Sequence, residues 1–162
     1  MDGQLIDALA GWSTLEWSMD QRIVLLVRAP RIVLAALAGA GLALTGCALQ
    51  GVFRNPLVSA QVLGISPGAA FGGVLAILFG LWGVPLLASA FVFGLLALVL
   101  VGLVARVDGK TEIVTVILAG LVVGSLFAAC VALAQFLAEP NGSLQAIVFW
   151  LMGSLATSTW ER

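Results

Sequence analysis

Apolar residues follow one another along most of this chain in blocks that are too long for an ordinary soluble fold. Residues 32–105 contain a single charge, Arg54. An apolar stretch of 18 or more residues is long enough to cross a bilayer as an α-helix. The pattern therefore predicts an all-α, polytopic transmembrane helical bundle. Its spans are expected at about 32–53, 62–82, 84–105 and 113–138, followed by a short helix at 144–160.

The first 27 residues have a different pattern and are not expected to span the membrane. Leu5, Leu9 and Trp12 fall on one helical face, while several acidic residues and Arg22 interrupt any apolar run. This combination favours a short interfacial helix that lies on the membrane surface. We therefore divide the chain into an N-terminal interfacial segment, 1–27, and a transmembrane domain, 28–162.

Composition narrows the possible functions. Of the 162 residues, 62% are hydrophobic and 9% are charged, the net charge is −1, and histidine is absent. The commonest metal ligand and general base is thus missing, and there is no basic patch for nucleic acid. Cys47 and Cys130 lie within apolar runs and are interpreted as small hydrophobic residues. We expect no catalytic residues, no metal site, no cofactor and no nucleic-acid partner.

Small residues recur every four positions on two of the predicted spans. Such a stripe lets another helix approach closely in lipid, where apolar side chains alone give little driving force for packing. On the first span the stripe is Ala35, Gly39, Ala43, Cys47 and Gly51, with Gly46 nearby. On the fourth span it is Gly120, Gly124, Ala128 and Ala132, with Gln135 on the same face and Ser125 close to it.

The segment between the first two spans, residues 54–68, holds the densest group of backbone-shaping residues. Irregular backbone exposed to lipid leaves polar groups unpaired, so this segment must lie at the aqueous boundary or inside protein. Its ordinary interpretation is a connecting loop, but its length and composition make it the leading candidate for a functional motif. The residues that define it are Arg54, Asn55, Pro56, Leu57, Gly64 and Gly68.

Arg28 and Arg31 place two cations at the start of the first span, separated by Ala-Pro. One interpretation is that both side chains anchor the helix at the membrane surface. The other is that they dock carboxylates of a partner protein, since proline fixes the local geometry. Counting basic residues on the two sides gives nearly a tie, so charge alone leaves the orientation open.

Several of these motifs, taken as a set and in order, resemble the FecCD family of ABC-importer permeases for iron-siderophores, haem and vitamin B12. The segments that carry the resemblance are Arg28–Arg31, Gly39–Gly46, Gln50–Leu57, Leu63–Ala70, Leu118–Gly120, Phe149–Ser154 and Trp160–Glu161. The resemblance implies a partial copy of the ten-span type II importer fold. The resemblance further implies that the family's first span has no counterpart in this sequence, which ends where the sixth would begin.

The resemblance also implies an orientation, a location and partners. Arg28 and Arg31 would face the periplasm and dock the substrate-binding protein, while the Arg54 loop would be cytoplasmic. Ser125 and Gln135 would lie on the translocation path. The implied location is the inner membrane, as a multi-pass subunit in lipid. The implied partners are a second permease subunit, cytoplasmic ATPase subunits and the binding protein, and the implied substrate is an iron-siderophore or related metal chelate.

Three other functions remain open. A truncated, non-functional remnant would explain the short chain. An ion-coupled carrier or channel would usually keep ionisable residues at mid-membrane, and the predicted spans hold none near their centres. An intramembrane enzyme would need a nucleophile with a base or a metal, and neither Ser125, Thr45 nor Cys130 has a base beside it in sequence.

Overall fold

The computed structural model describes residues 23–106, 113–140 and 142–155, and within these ranges the chain is helical, without β-strands. A π-helical turn, Ile23–Arg28, leads into five α-helices. These are α1 (Ala29–Phe53), α2 (Ile65–Leu78), α3 (Val84–Val104), α4 (Ile113–Leu137) and α5 (Ser143–Met152). The predicted all-α class is confirmed, while the proposed interfacial helix near Leu5–Trp12 lies outside the described residues.

The chain divides into two compact units, Met1–Gly39 with Leu155–Arg162, and Ala40–Ser154. In the first unit the described part is essentially the start of α1 and the turn before it. Pro30 is its buried residue and lies just after the π-helical turn. In the second unit lie the end of α1 and all of α2 to α5.

Three of the described helices are long and apolar enough to cross a membrane: Leu26–Phe53, Val84–Val104 and Ile113–Leu137. The last two have 21 and 25 residues and rise about 32 and 38 Å, against a hydrocarbon core of about 30 Å. With 14 residues, α2 rises only about 21 Å and cannot span the core by itself.

Helix boundaries differ from the sequence prediction at three places. The first helix begins at Ala29, not at residue 32, so Arg31 lies inside its first turn. The expected span at 62–82 is wrong in length, because the helix covers only Ile65–Leu78 and loop backbone occupies 62–64. The last helix, expected at 144–160, covers Ser143–Met152, and residues 156–162 lie outside the described part.

The second unit is built around α2, whose residues are the most consistently buried of any helix in the described chain. One apolar cluster joins the end of α2 to α4 and α5 through residues such as Val74, Ala134 and Ile147. A second cluster joins α3 to the first half of α4. Between them, the rings of Phe71, Phe93 and Phe127 lie 5.4 to 6.5 Å apart and fix α2, α3 and α4 together.

Candidate functional site

The candidate site is the segment that leaves α1 and enters α2. At its start, the Arg54 N–H donates to the Gly51 carbonyl and the Asn55 N–H donates to the Gln50 carbonyl. These two bonds form a Schellman motif, which closes a helix with one residue in the left-handed region. That residue is Arg54, at φ +47°, where glycine is usual. An exposed arginine in this strained conformation ends α1 at the motif predicted from sequence.

The next turn is closed by Asn55. Its Oδ1 accepts a hydrogen bond from the Leu57 N–H at 2.9 Å, and its carbonyl accepts one from the Val58 N–H. This Asx turn directs the chain so that Leu57 is 81% exposed while Val58 is 1% exposed. Pro56 is exposed as well. The turn therefore presents Arg54, Pro56 and Leu57 outward and anchors the segment through Val58.

The second half of the segment is a compact coil. The Ser59 Oγ accepts a hydrogen bond from the Val62 N–H, and the Ser59 carbonyl accepts one from the Leu63 N–H. Leu63 is 1% exposed and forms the second anchor. At Gly64 the backbone adopts φ +74°, which a side chain would strain, and α2 begins at the next residue.

This coil rests directly on α4, at a contact that we call the loop seat: Val62–Gly64 against Gly120 and Gly124. A Cβ at position 120 would lie 2.5 Å from the Val62 carbonyl oxygen and 2.9 Å from the Leu63 Cα. A Cβ at position 64 would lie 3.0 Å from the Gly120 carbonyl oxygen. Backbone thus meets backbone, and glycine is needed on both sides. The stripe of small residues predicted on the fourth span, now α4, therefore packs against a loop at this point and not against a helix.

Gly68 was expected in the loop, but it lies in the first turn of α2 and packs against α3. A Cβ there would lie 2.7 Å from the Ala97 Cβ, and one at Gly72 would lie 2.6 Å from the Ser89 carbonyl oxygen. The Ser89 Oγ donates to the Gly72 carbonyl at 2.7 Å. Gly72 was not among the residues predicted from the sequence, although Gly64, Gly68 and Gly72 are spaced four residues apart, as in the small-residue stripes of the other spans.

A groove opens beside the segment, on the side of α1, and its lining is mostly apolar but includes several polar side chains. It has a volume of about 310 Å³. Four of its lining residues carry hydroxyl or amide groups, which is unusual in a chain this apolar: Thr45, Ser59, Gln61 and Ser66. The Thr45 hydroxyl donates to the Gly41 carbonyl in its own helix. The groove offers uncharged hydrogen-bonding groups next to the loop.

The remaining predicted site residues lie apart from this segment. Ser125 is exposed on α4, and its hydroxyl donates to the Leu121 carbonyl one turn earlier. Gln135 is half-buried farther along the same helix. Arg28 is exposed and Arg31 half-buried. The proposed roles of these four residues in translocation and docking remain predictions.

The small residues of α1 face open space within the described chain. Cβ atoms at Gly39, Gly46 and Gly51 would meet no heavy atom within 4 Å, and Ala43 is exposed. On α4, Ala128 and Ala132 are exposed too, so the predicted stripe is covered only at its glycines. Close packing on the α1 stripe therefore stays a prediction. Among the described residues no group of three or more acidic, histidine or cysteine side chains could hold a metal ion.

Bilayer-length helices packed on a short buried helix, with irregular backbone resting on one of them, are the arrangement of a polytopic membrane protein. The chain belongs to the FecCD transport family, whose model matches residues 3–162. It is 45% identical over 144 residues to the molybdate import system permease protein MolB of Haemophilus influenzae, covering 89% of this chain and 43% of that protein.

Other relatives carry different names. The cobalamin import system permease protein BtuC of Halobacterium salinarum is 39% identical, over 87% of this chain and 38% of its own length. A solved structure described as the inward-facing conformation of an ABC transporter assigned to the metal-chelate type matches with a TM-score of 0.78 and 44% identity. That match covers 91% of this chain and 47% of the solved one. The chain therefore spans less than half the length of these relatives.

Proposed function

We propose that this chain forms part of the permease subunit of an ABC importer, which moves a metal-containing substrate across the inner membrane. The observation that carries the proposal is the loop seat in a chain of the FecCD family. Non-helical backbone at membrane depth is tolerated where protein or a water-filled cavity surrounds it, and transport proteins use it in this way. Here that backbone rests on α4 on one side and is bordered by the groove beside α1, with its hydroxyl and amide groups, on the other.

The partners follow from the family. A second permease subunit, two cytoplasmic ATPase subunits and a substrate-binding protein would complete the importer. ATP hydrolysis would take place in the ATPase subunits, so the chain itself has no enzymatic role in the proposal. The apolar α1 face that is uncovered in the described chain is available for further helices of the permease.

For the substrate, the sequence favours an iron-siderophore or a related metal chelate. Relatives are named for molybdate, cobalamin and iron chelatin at 45%, 39% and 38% identity, so the names support a metal-containing substrate and differ in which one it is. The test is uptake into proteoliposomes that contain the complete importer, with molybdate, cobalamin and a ferric siderophore offered in turn. ATP-dependent uptake of one of them is expected. Uptake that follows a proton gradient without ATP would favour an ion-coupled carrier.

Orientation is the second part of the proposal. Arg28 and Arg31 would face the periplasm, and Arg54 with the turn after Ala105 would face the cytoplasm. Single cysteines at positions 28 and 54, in a background without Cys47 and Cys130, distinguish the two sides. An impermeant maleimide added outside intact cells should label position 28 and leave position 54 unlabelled. The reverse labelling would overturn the orientation.

Docking of the binding protein is tested by charge reversal at the same end. We expect the double variant Arg28→Glu with Arg31→Glu to weaken binding of the binding protein by at least about tenfold, because opposed charges become like charges at an interface. Arg106→Glu serves as the control, since Arg106 is also exposed but lies at the opposite predicted side. Unchanged affinity in the double variant would remove the docking role.

A further inference from the structure

The short helix α5 follows α4 in the chain but is fastened to α2 by one tryptophan. The Trp150 indole Nε1–H donates to the Ala70 carbonyl oxygen in α2 at 3.1 Å. Its ring lies directly over Gly73, where a Cβ would collide with Trp150 Cε2, Nε1 and Cζ2. We call this arrangement of Ala70 and Gly73 the indole pocket. Trp150 is therefore a half-buried packing residue.

The pocket combines a steric requirement with a polar one. Gly73 is buried and must lack a side chain for the ring to lie flat against the helix. The carbonyl of Ala70, one turn earlier, then lies within reach of the indole N–H. A ring without that N–H would still fill much of the space but would lose the hydrogen bond. The two contributions can therefore be separated by substitution.

Along the rest of α5, one side packs within the second unit and the other side is exposed. Ile147 is fully buried in the cluster with Val74 and Ala134, whereas Phe149 and Met152 are 70% and 75% exposed. The helix is followed by Gly153, at φ +71°, a conformation that side chains rarely adopt. Trp150 and Ile147 thus set the position of α5 along α2, and a glycine allows the chain to turn away directly after it.

We propose that Trp150 is a positioning residue for transport, which fixes α5 on α2 so that the two helices move together. The proposal rests on the proposed function for its role in transport. Through α2, the position of α5 is tied to the loop seat, because Gly64 immediately precedes α2 and rests on α4. Release of the indole from its pocket would loosen the attachment of α5 to that assembly, because Ile147 would then be its main remaining anchor, without breaking either helix.

The first experiment measures the attachment of α5 in the purified permease by amide hydrogen exchange. Trp150→Phe should increase exchange of the α5 amides, Ser143–Met152, by about 2- to 10-fold, the change in an equilibrium constant expected for one net hydrogen bond. Amides in the middle of α3 should not change. Trp82→Phe is the matched control, since Trp82 is 62% exposed. Equal α5 exchange in Trp150→Phe and the unsubstituted protein would overturn the attachment.

The second experiment tests the steric half of the pocket by rescue. Gly73→Ala should raise α5 exchange at least as much as Trp150→Phe, because the new methyl displaces the ring. The double variant Gly73→Ala with Trp150→Ala should show no further loss beyond Trp150→Ala alone, because the methyl then enters vacated space. Gly102→Ala is the control, since a Cβ there meets nothing within 4 Å. Additive effects of the two substitutions would refute the pocket.

Transport measurements in the complete importer then test the positioning role. Trp150→Phe should lower the maximal transport rate, while Trp82→Phe should leave it unchanged. The KM for the loaded binding protein should stay unchanged, and the ATP hydrolysed per substrate moved should rise. If α5 exchange increases but the amount of ATP hydrolysed per substrate moved stays the same, the contact is structural only and the proposal is overturned. If the unsubstituted importer moves no substrate, the proposed function fails, while the exchange experiments still decide the attachment.

Discussion

The loop seat makes a sharp prediction for Gly120→Ala. Adding one methyl group places a Cβ 2.5 Å from the Val62 carbonyl oxygen, 2.9 Å from the Leu63 Cα and 3.2 Å from the Leu63 carbonyl carbon. All three are backbone atoms, so no flexible side chain can move aside. Leu63 is 1% exposed, and the coil can retreat only by withdrawing this anchor from its pocket.

The magnitude follows from two opposed terms. Overpacking a well-packed site costs about 1–3 kcal/mol, and the backbone contacts here favour the upper end. Replacing glycine by alanine inside a helix returns about 1 kcal/mol. We therefore expect a net destabilisation of about 1–2 kcal/mol for Gly120→Ala. Gly102→Ala makes the same chemical change in α3 with nothing within 4 Å, so it isolates the helix-propensity term.

The assay is equilibrium unfolding of the purified protein in mixed micelles, with increasing sodium dodecyl sulfate and helicity as the readout. The quantity that matters is the difference between Gly120→Ala and Gly102→Ala, in which the propensity term cancels. We expect Gly120→Ala to be less stable by about 2–3 kcal/mol. A difference below about 0.5 kcal/mol, the usual effect of an unconstrained surface substitution, would refute the close seating of the loop on α4.

Three further substitutions test neighbouring features by the same unfolding assay. Gly64→Ala should cost at least about 1 kcal/mol, because φ is +74° and Gly120 stands close by, and a neutral result would contradict the left-handed turn. Arg54→Gly should stabilise the fold by about 1 kcal/mol through relief of its positive φ, and a loss of stability would instead reveal contacts of the arginine side chain. Ser89→Ala should cost about 0.6 kcal/mol, the average for a hydrogen bond between membrane helices. The loss of stability caused by Gly68→Ala should be the same in the presence and in the absence of Ser89→Ala.

Much of the fold was accessible from the sequence because membrane helices are fixed by length and composition. The apolar blocks at 84–105 and 113–138 coincide with α3 and α4 to within one residue at each end. Arg54 and Asn55 were identified as the turn after α1, since helix-breaking residues cluster there. The motifs also indicated the FecCD family, and the match of the family model over residues 3–162 confirms it.

Several contacts could not be predicted, because periodicity shows which face is small but not what covers it. The Gly120 and Gly124 face receives the coil Val62–Gly64, while the equivalent stripe on α1 stays open in the described chain. The length of α2 was also misjudged, since Pro67 and Gly68 are as compatible with a first helical turn as with a loop.

Trp150 illustrates the same limit. A tryptophan near the end of an apolar segment is typical of the membrane interface, and its sequence neighbours give no other indication. Its partners, Ala70 and Gly73, are separated from it by about half the chain and become neighbours only when α5 folds back onto α2.

By itself, the sequence determined that this protein crosses a membrane, where its long helices run and where the chain must turn, because these properties depend on local composition and on the absence of water in lipid. Only the tertiary structure decided which glycine meets which backbone, how short the buried helix is and what holds α5. Those outcomes depend on contacts a few ångströms wide between residues far apart in the chain, and no local pattern records them.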